Sequence, residues 1–353
     1  MNKNNKLKQV IIVSIFSGMD LLLYGMMIAG MKGAYAVEFN CHAANMHSFN
    51  FKDPNGNPLI RWVFVSAEEM KPKLKKLENE KLEKKRKKEL RDHYIMNADG
   101  SAKRPETIQE VDGREIRKIC EELYGKHIWI VLIGGPPCTD FTKLNVHNDG
   151  ERNKLVFEYL RILKELNPDV AVMEEVPDIL DKNHRDLYFD FLNQASKCGY
   201  NCAYQEMNAL HYDGCQNRRR VITIMVNKSM GKMPVFPKPR PESAIRPGEL
   251  FDIDYHFSGH FVDLIKNKNH WMCTVTSGSP SWFAKGDNVW PPTIQDKLVM
   301  QGLKSGMKYI IPEGTPIDQQ HVAVGNGVPI NLAYHIAKTI MEEIFELPVK
   351  NEY

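Results

Sequence analysis

Gly134-Gly135-Pro136-Pro137-Cys138-Thr139-Asp140-Phe141-Thr142 follows the apolar run Ile128 to Ile133. That run has the length and composition of a strand buried on both faces. Paired glycines and prolines stop the strand and stiffen the turn behind it. Cys138 then stands at the carboxyl end of the strand, the edge where open α/β sheets bind their ligands. A thiol at that edge can approach a substrate, and fixed backbone amides lower its pKa. By itself, a cysteine after a turn is more often a small buried hydrophobe than a nucleophile. The rest of the chain has to decide between the two.

Working outward, strands and helices alternate. Val10 to Ile15 reads as a first strand, Gly18 turns it into a helix over about 20 to 29, and Ala34 to Glu38 is a second strand ending in an acid. A glycine turn and a strand-end carboxylate are how nucleotide-type cofactors are often held, the acid accepting from ribose hydroxyls. Ile108 to Val111 reads as a third strand with Asp112 at its end, and Ile128 to Ile133 as a fourth. Helical patterns over 156–166 and 187–198 flank a strand from Val170 to Glu174, and strands over 202–207 and 221–226 follow. This alternation predicts an α/β fold, a doubly wound, mostly parallel sheet. After Asn227, five prolines between 234 and 247 break any long helix, and Cys273 to Gly278 is strand-like. Residues 228–320 are therefore expected to form a second, smaller irregular domain beside a main domain of residues 1–227, with residues 321–353 returning to the main domain as a helix.

Four further segments stand in a fixed order around the Pro-Cys turn: Phe16-Ser17-Gly18, Met173-Glu174-Glu175-Val176, Gln216-Asn217-Arg218-Arg219-Arg220 and Gly325-Asn326-Gly327. Each is weak alone. Together, over about Val10 to Ile344, they resemble the cytosine-C5 DNA methyltransferase family, with its F-x-G turn, Pro-Cys nucleophile, Glu-Asn-Val acid, Q-x-R-x-R pair and late Gly-Asn turn. The resemblance implies the class I S-adenosylmethionine methyltransferase fold and a target-recognition role for the smaller domain. It implies Cys138 as the nucleophile on cytosine C6, Glu174 as the acid at N3 and N4, and Arg218 and Arg220 as cations beside the base. S-adenosylmethionine is the implied cofactor, with no metal. Phe16 and Gly18 match its first loop, Glu38 its ribose acceptor, Phe39 its adenine platform and Asp112 a partner of the adenine amine. Pro136 borders the site, and Asn326 lies in the turn packed beside the first loop. Double-stranded DNA with a flipped-out cytosine is the implied partner.

Departures from the family pattern are specific. Asp20 and Glu175 stand where the family has glycine and asparagine, and Thr142 replaces a commoner serine. Glu175 either repels Glu174 in the pocket or points away into structure. Two other readings share the motifs: a tRNA-type cytosine-C5 methyltransferase, and a catalytically silent nucleic-acid binder. The tRNA-type branch's Cys-Phe-Thr segment is absent from the smaller domain, which favours DNA.

Bulk properties agree with an enzyme rather than a generally basic nucleic-acid protein. The 353 residues carry a net charge of only +3, so DNA binding requires a local basic face. Lys71 to Arg91 is the densest such run, within a segment of about 52–104 that reads as an insertion; its ordinary meaning is a solvated helix, its sharper one a phosphate contact. Seven scattered cysteines without paired spacing indicate a reducing compartment and no structural zinc. The apolar N-terminal stretch is interrupted by Asp20 and by glycines, unlike a signal peptide. A monomeric, non-membrane, non-secreted protein of the bacterial or phage type, cytoplasmic or nucleoid-associated, is expected.

Overall fold

The computed structural model describes residues 8–75, 87–88, 90–137, 154–258, 265–276, 281–349 and 353. Its main sheet is built from β1 (Gln9–Ile15), β2 (Lys32–Val37), and, further along the chain, β6 (Ile128–Gly134), β7 (Val170–Glu175), β8 (Tyr200–Asn208) and β9 (Arg219–Asn227). A smaller sheet between them holds β3 (Trp62–Val65), β4 (Ile95–Met96) and β5 (Ala102–Pro105). The six strands of the main sheet lie in the order β2-β1-β6-β7-β9-β8. β1 is parallel to β2 and β6, and β6 to β7, while β9 runs antiparallel to both neighbours.

Alternate residues of these strands feed two cores. Ile12, Val131 and Val172 join the helices Leu21–Ile28 and Ile330–Thr339 on one face. Ile11, Val13, Leu132 and Met173 join Gly113–Tyr124, Lys154–Leu166 and Arg185–Lys197 on the other. Burial on both faces is why the central strands are continuous apolar runs. The chain leaves β1 toward β2 on one side and returns as β6 on the other, so the carboxyl ends of β1 and β6 flank the switch point where such sheets take ligands.

Three expectations are corrected. Ile108 to Val111 is not a strand: Ile108–Glu110 is a 3-10 turn, and Asp112 caps the helix Gly113–Tyr124 by accepting from the Arg114 amide at 2.7 Å. Local polar bonds override the short apolar pattern, because Glu110 accepts from Arg104 at 2.6 and 2.7 Å and from the Thr107 amide at 2.8 Å. The place beside β2 goes instead to Leu59 and Ile60, through a parallel bridge of Ile60 to Ala36. Cys273 to Thr276 is likewise not a regular strand; Met272 exchanges backbone hydrogen bonds with Cys215 and Asn217, and Val275 is held by the side chains of Gln216 and Arg218. Finally, the terminal helix Ile330–Thr339 passes into a π-helical turn, Ile340–Ile344.

The segment read as an insertion holds its own sheet, ordered β3-β5-β4, and a helix, Ala67–Lys75, packed through Met70, Tyr94 and Ala102. Residues 87–88 and 90–91 of the basic run, with 92–93 beyond it, are also helical; Lys84 and Lys85 lie outside the described residues. Within 228–320, β10 (Tyr255–Ser258), β11 (Lys266–Asn267), β12 (Ser281–Lys285) and β13 (Asn288–Trp290) form an antiparallel sheet in the order β11-β10-β12-β13. Phe283, Met272 and Val275 from this region pack into the same core as Ile12 and Val172.

Candidate active site

The loop after β1 is wound tightly. Phe16, Gly18 and Asp20 have φ of 53°, 56° and 63°. Left-handed backbone is costly for most side chains, but Asp tolerates it when its carboxylate bonds locally. Asp20 does so. Its Oδ1 accepts from the Leu23 amide at 3.0 Å, and its Oδ2 lies 3.2 Å from Nε2 of the buried His47. The departure at this position is therefore a helix cap and a buried pair, and His47 is a partner that periodicity alone does not reveal.

Glu38 faces this loop. Its Oε2 accepts from the Gly18 amide at 2.6 Å and its Oε1 from the Asn40 amide at 2.7 Å. Burial pushes the carboxyl up from the ordinary range, and these backbone amides offset only part of that rise. Each carboxylate oxygen has a second lone pair, so the fixed acid retains capacity for hydroxyl donors. A Cβ added at Gly18 meets no described heavy atom within 4 Å. The Phe39 ring, next in the chain, is 57% exposed.

At the neighbouring strand ends, Gly134 of β6 pairs with Met173 of β7, and the chain passes Glu174 before entering the Pro-Pro turn. A Cβ on Gly135 would stand 2.8 Å from Glu174 Oε2, so any side chain there would push the carboxylate out of place. The other oxygen, Oε1, is held by Arg220 Nε at 2.6 Å. Both side chains are largely buried, at 12% and 14% exposure, which makes the pair stronger than a surface ion pair. Pro136 is buried and Pro137 exposed. Cys138 and Thr142 lie outside the described residues.

Glu175 is buried and points to the opposite face. Strand neighbours must alternate. Burial pushes the nearby Tyr188 phenol up, and the charge of Glu175 adds to that shift.

Arg218 and Arg220 were expected to face the base together. The structure separates them. Arg218 is 1% exposed, donating from Nη1 to the Val275 carbonyl at 2.8 Å and from Nη2 to the Gly325 carbonyl at 3.0 Å. Gln216 completes the clip: it accepts from the Val275 amide at 3.0 Å and donates to the Met300 carbonyl at 2.8 Å. The Q-N-R-R-R segment thus joins the sheet, the 272–275 segment and the late Gly-Asn turn. Gln301, a residue that no motif singled out, donates to the Val324 and Gly327 carbonyls at 2.6 and 3.1 Å. Asn326 is exposed at the end of helix Ile317–Asn326, and the adjoining Gly327 backs onto Leu21 beside the first loop. Asp112 is engaged as a helix cap rather than standing at a strand end. Replacing Arg218 by Met is expected to cost roughly 2–4 kcal/mol of stability by stranding two buried carbonyls, with binding of small ligands little changed in the fraction that folds. Denaturant melts compared with the wild type check this; an unchanged midpoint would show that the clip contributes nothing.

The model of the C-5 cytosine-specific DNA methylases matches residues 87–282, just over half of the chain. The chain belongs to the C-5 cytosine-specific DNA methylase family. This methylase is 25% identical over 283 residues to the type II methyltransferase M.NgoPII of Neisseria gonorrhoeae, covering 65% of this chain and 82% of the relative. It is also 25% identical over 285 residues to M.FnuDI of Fusobacterium nucleatum, covering 65% and 81%. In fold it is similar to the Entamoeba histolytica methyltransferase EhMeth, with a TM-score of 0.61, 14% identity and coverage of 95% and 99% of the two chains. The methylase is an enzyme of the DNA (cytosine-5-)-methyltransferase class, and its family uses S-adenosylmethionine. Among the described residues, no group of three or more His, Cys, Asp or Glu could hold a metal ion, and no helix is long and apolar enough to cross a membrane.

Proposed function

We propose that this methylase acts as a monomer on double-stranded DNA, methylating C5 of a flipped-out cytosine through a covalent bond between Cys138 and C6. The observation that carries the reading is the divided carboxylate of Glu174. One oxygen is fixed by Arg220, and the other faces Gly135, at the entrance to the Pro-Pro-Cys turn. An acid held so firmly beside the nucleophile's turn suits recognition of N3 and N4 of a cytosine ring, which needs charge neutralised while its C6 is attacked. Cys138 Sγ adds to C6 and makes C5 electron-rich. Bound S-adenosylmethionine supplies an electrophilic methyl group. Loss of the C5 proton, with water as a sufficient acceptor, then expels the thiolate and restores the ring. Arg220 keeps Glu174 in place, while Arg218 acts at a distance by fixing the segments around it. Residues 228–320 are the region assigned to target recognition.

The donor fits the edge formed by Phe16, Gly18, Glu38 and Phe39. The space over Gly18, the amide-held carboxylate and the exposed ring suit a nucleoside, with Pro136 and Asn326 at its borders. Glu38→Ala should weaken S-adenosylmethionine binding by roughly 1–3 kcal/mol, because hydroxyls lose a charged acceptor. Calorimetry with unchanged affinity would place the donor elsewhere. Tritiated methyl transfer to mixed DNA and RNA pools, with mapping of the modified base, tests the substrate: label on RNA alone would overturn the DNA reading.

A further inference from the structure

The insertion meets the donor edge at Phe39. His93 stacks on Phe39 with ring centroids 4.5 Å apart and planes 18° from parallel. Its Nδ1 lies 3.3 Å from the Phe39 carbonyl. Tyr94 meets the imidazole edge-on at 4.7 Å and 84°. On the insertion side, His93 and Tyr94 help line a cavity of about 320 Å³ together with Phe64, Lys73 and Thr107. The residues just before His93 are tied down on two sides. The Arg91 carbonyl accepts from Cys41 Sγ at 3.2 Å, and Arg91 Nη1 is 3.1 Å from Asp318 Oδ2. Asp92 Oδ1 accepts from Gln319 Nε2 at 3.3 Å, and Gln319 Oε1 in turn accepts from Asn40 Nδ2 at 3.0 Å. Residues 91–93 are thereby bonded to the loop after β2 and to the start of helix Ile317–Asn326.

A half-exposed phenylalanine next to a binding carboxylate has rotamers to lose when it takes a ligand on its face. A ring stacked against it beforehand removes that cost, which is the general route by which preorganisation strengthens binding. We propose that His93 is a positioning residue for the methyl donor: it holds the Phe39 ring as a platform for the purine, so that the insertion helps set cofactor affinity. The proposal rests on the assignment of Glu38 and Phe39 to the donor site.

Titration calorimetry of the full chain with S-adenosylhomocysteine tests it without catalysis. His93→Gln, which removes the ring but keeps a polar side chain, should weaken binding about three- to tenfold. His93→Phe, which restores a ring, should bind within about twofold of wild type. Melting curves are read on every variant, with Glu38→Ala run alongside. If Glu38→Ala weakens binding and His93→Gln does not, the positioning role is wrong and the donor site stands. If His93→Gln weakens binding, but melting falls in step and His93→Phe does not rescue, the contact is merely structural and the proposal fails. If Glu38→Ala leaves affinity unchanged, the donor assignment falls and takes the proposal with it.

Discussion

Cys138→Ser should reduce methyl transfer by on the order of 10³-fold or more, while S-adenosylhomocysteine binding and melting stay at wild-type values. A serine hydroxyl is far less acidic than a thiol, and without an adjacent base it cannot add to C6. Losing the only covalent nucleophile of a concerted group typically costs most of the rate enhancement. The expectation draws on the turn that leads toward Cys138: at Gly135 the backbone passes directly against Glu174. DNA carrying 5-fluorocytosine provides a second readout. Fluorine cannot leave C5 as a proton does, so the wild-type enzyme should remain bonded to the DNA and run as an adduct on a denaturing gel, whereas the serine variant should not. A serine variant retaining more than a few per cent of activity, or one that still forms the adduct, would remove Cys138 as the nucleophile.

The sheet is the part of this fold most legible in sequence, for a physical reason. Strands buried on both faces are apolar throughout, and Val10 to Ile15, Ile128 to Ile133 and Val170 to Met173 could not be much else. The same logic fails at Ile108, where three residues with two polar members form a 3-10 turn because Arg104, Thr107 and Glu110 satisfy one another locally. At the site, motif order brought out Glu38 and Glu174, whose strand-end positions follow directly from periodicity. It did not separate Arg218 from Arg220. Residues two apart share a face only while they remain in one regular strand. β9 begins at Arg219, and the preceding segment is drawn aside by its backbone bonds to Met272 and its side-chain bonds to Val275. His47, His93 and Gln301 were invisible because each acts through a partner more than 20 residues away, and no local pattern encodes such a contact.

The adjacent carboxylates Glu174 and Glu175 should respond to substitution in opposite ways. Glu174→Gln retains size and a hydrogen-bonding group for Arg220 but removes the acid, and should lower kcat by roughly 10²–10⁴-fold, the range for loss of a positioned acid or base. Donor binding should change little and melting should fall only modestly, because glutamine keeps a hydrogen bond to Arg220 while the charge of a largely buried pair is lost. Glu175→Asn, the substitution that restores the family pattern, should instead lower stability by roughly 1–3 kcal/mol by disturbing polar packing on the buried face near Tyr188 and Thr223, with the pH–rate profile keeping its shape. The contrast follows from alternation along β7: Glu174 shares the face of Val170 and Val172, whereas Glu175 shares that of Ala171 and Met173. Were both acids in the pocket, their like charges would disfavour joint ionisation, and removing one would move the alkaline limb of the profile to lower pH. Rate profiles and melting curves of the two variants therefore decide the matter. A shifted alkaline limb in Glu175→Asn with unchanged melting would put Glu175 in the chemistry, and a Glu174→Gln enzyme with wild-type kcat would take Glu174 out of it.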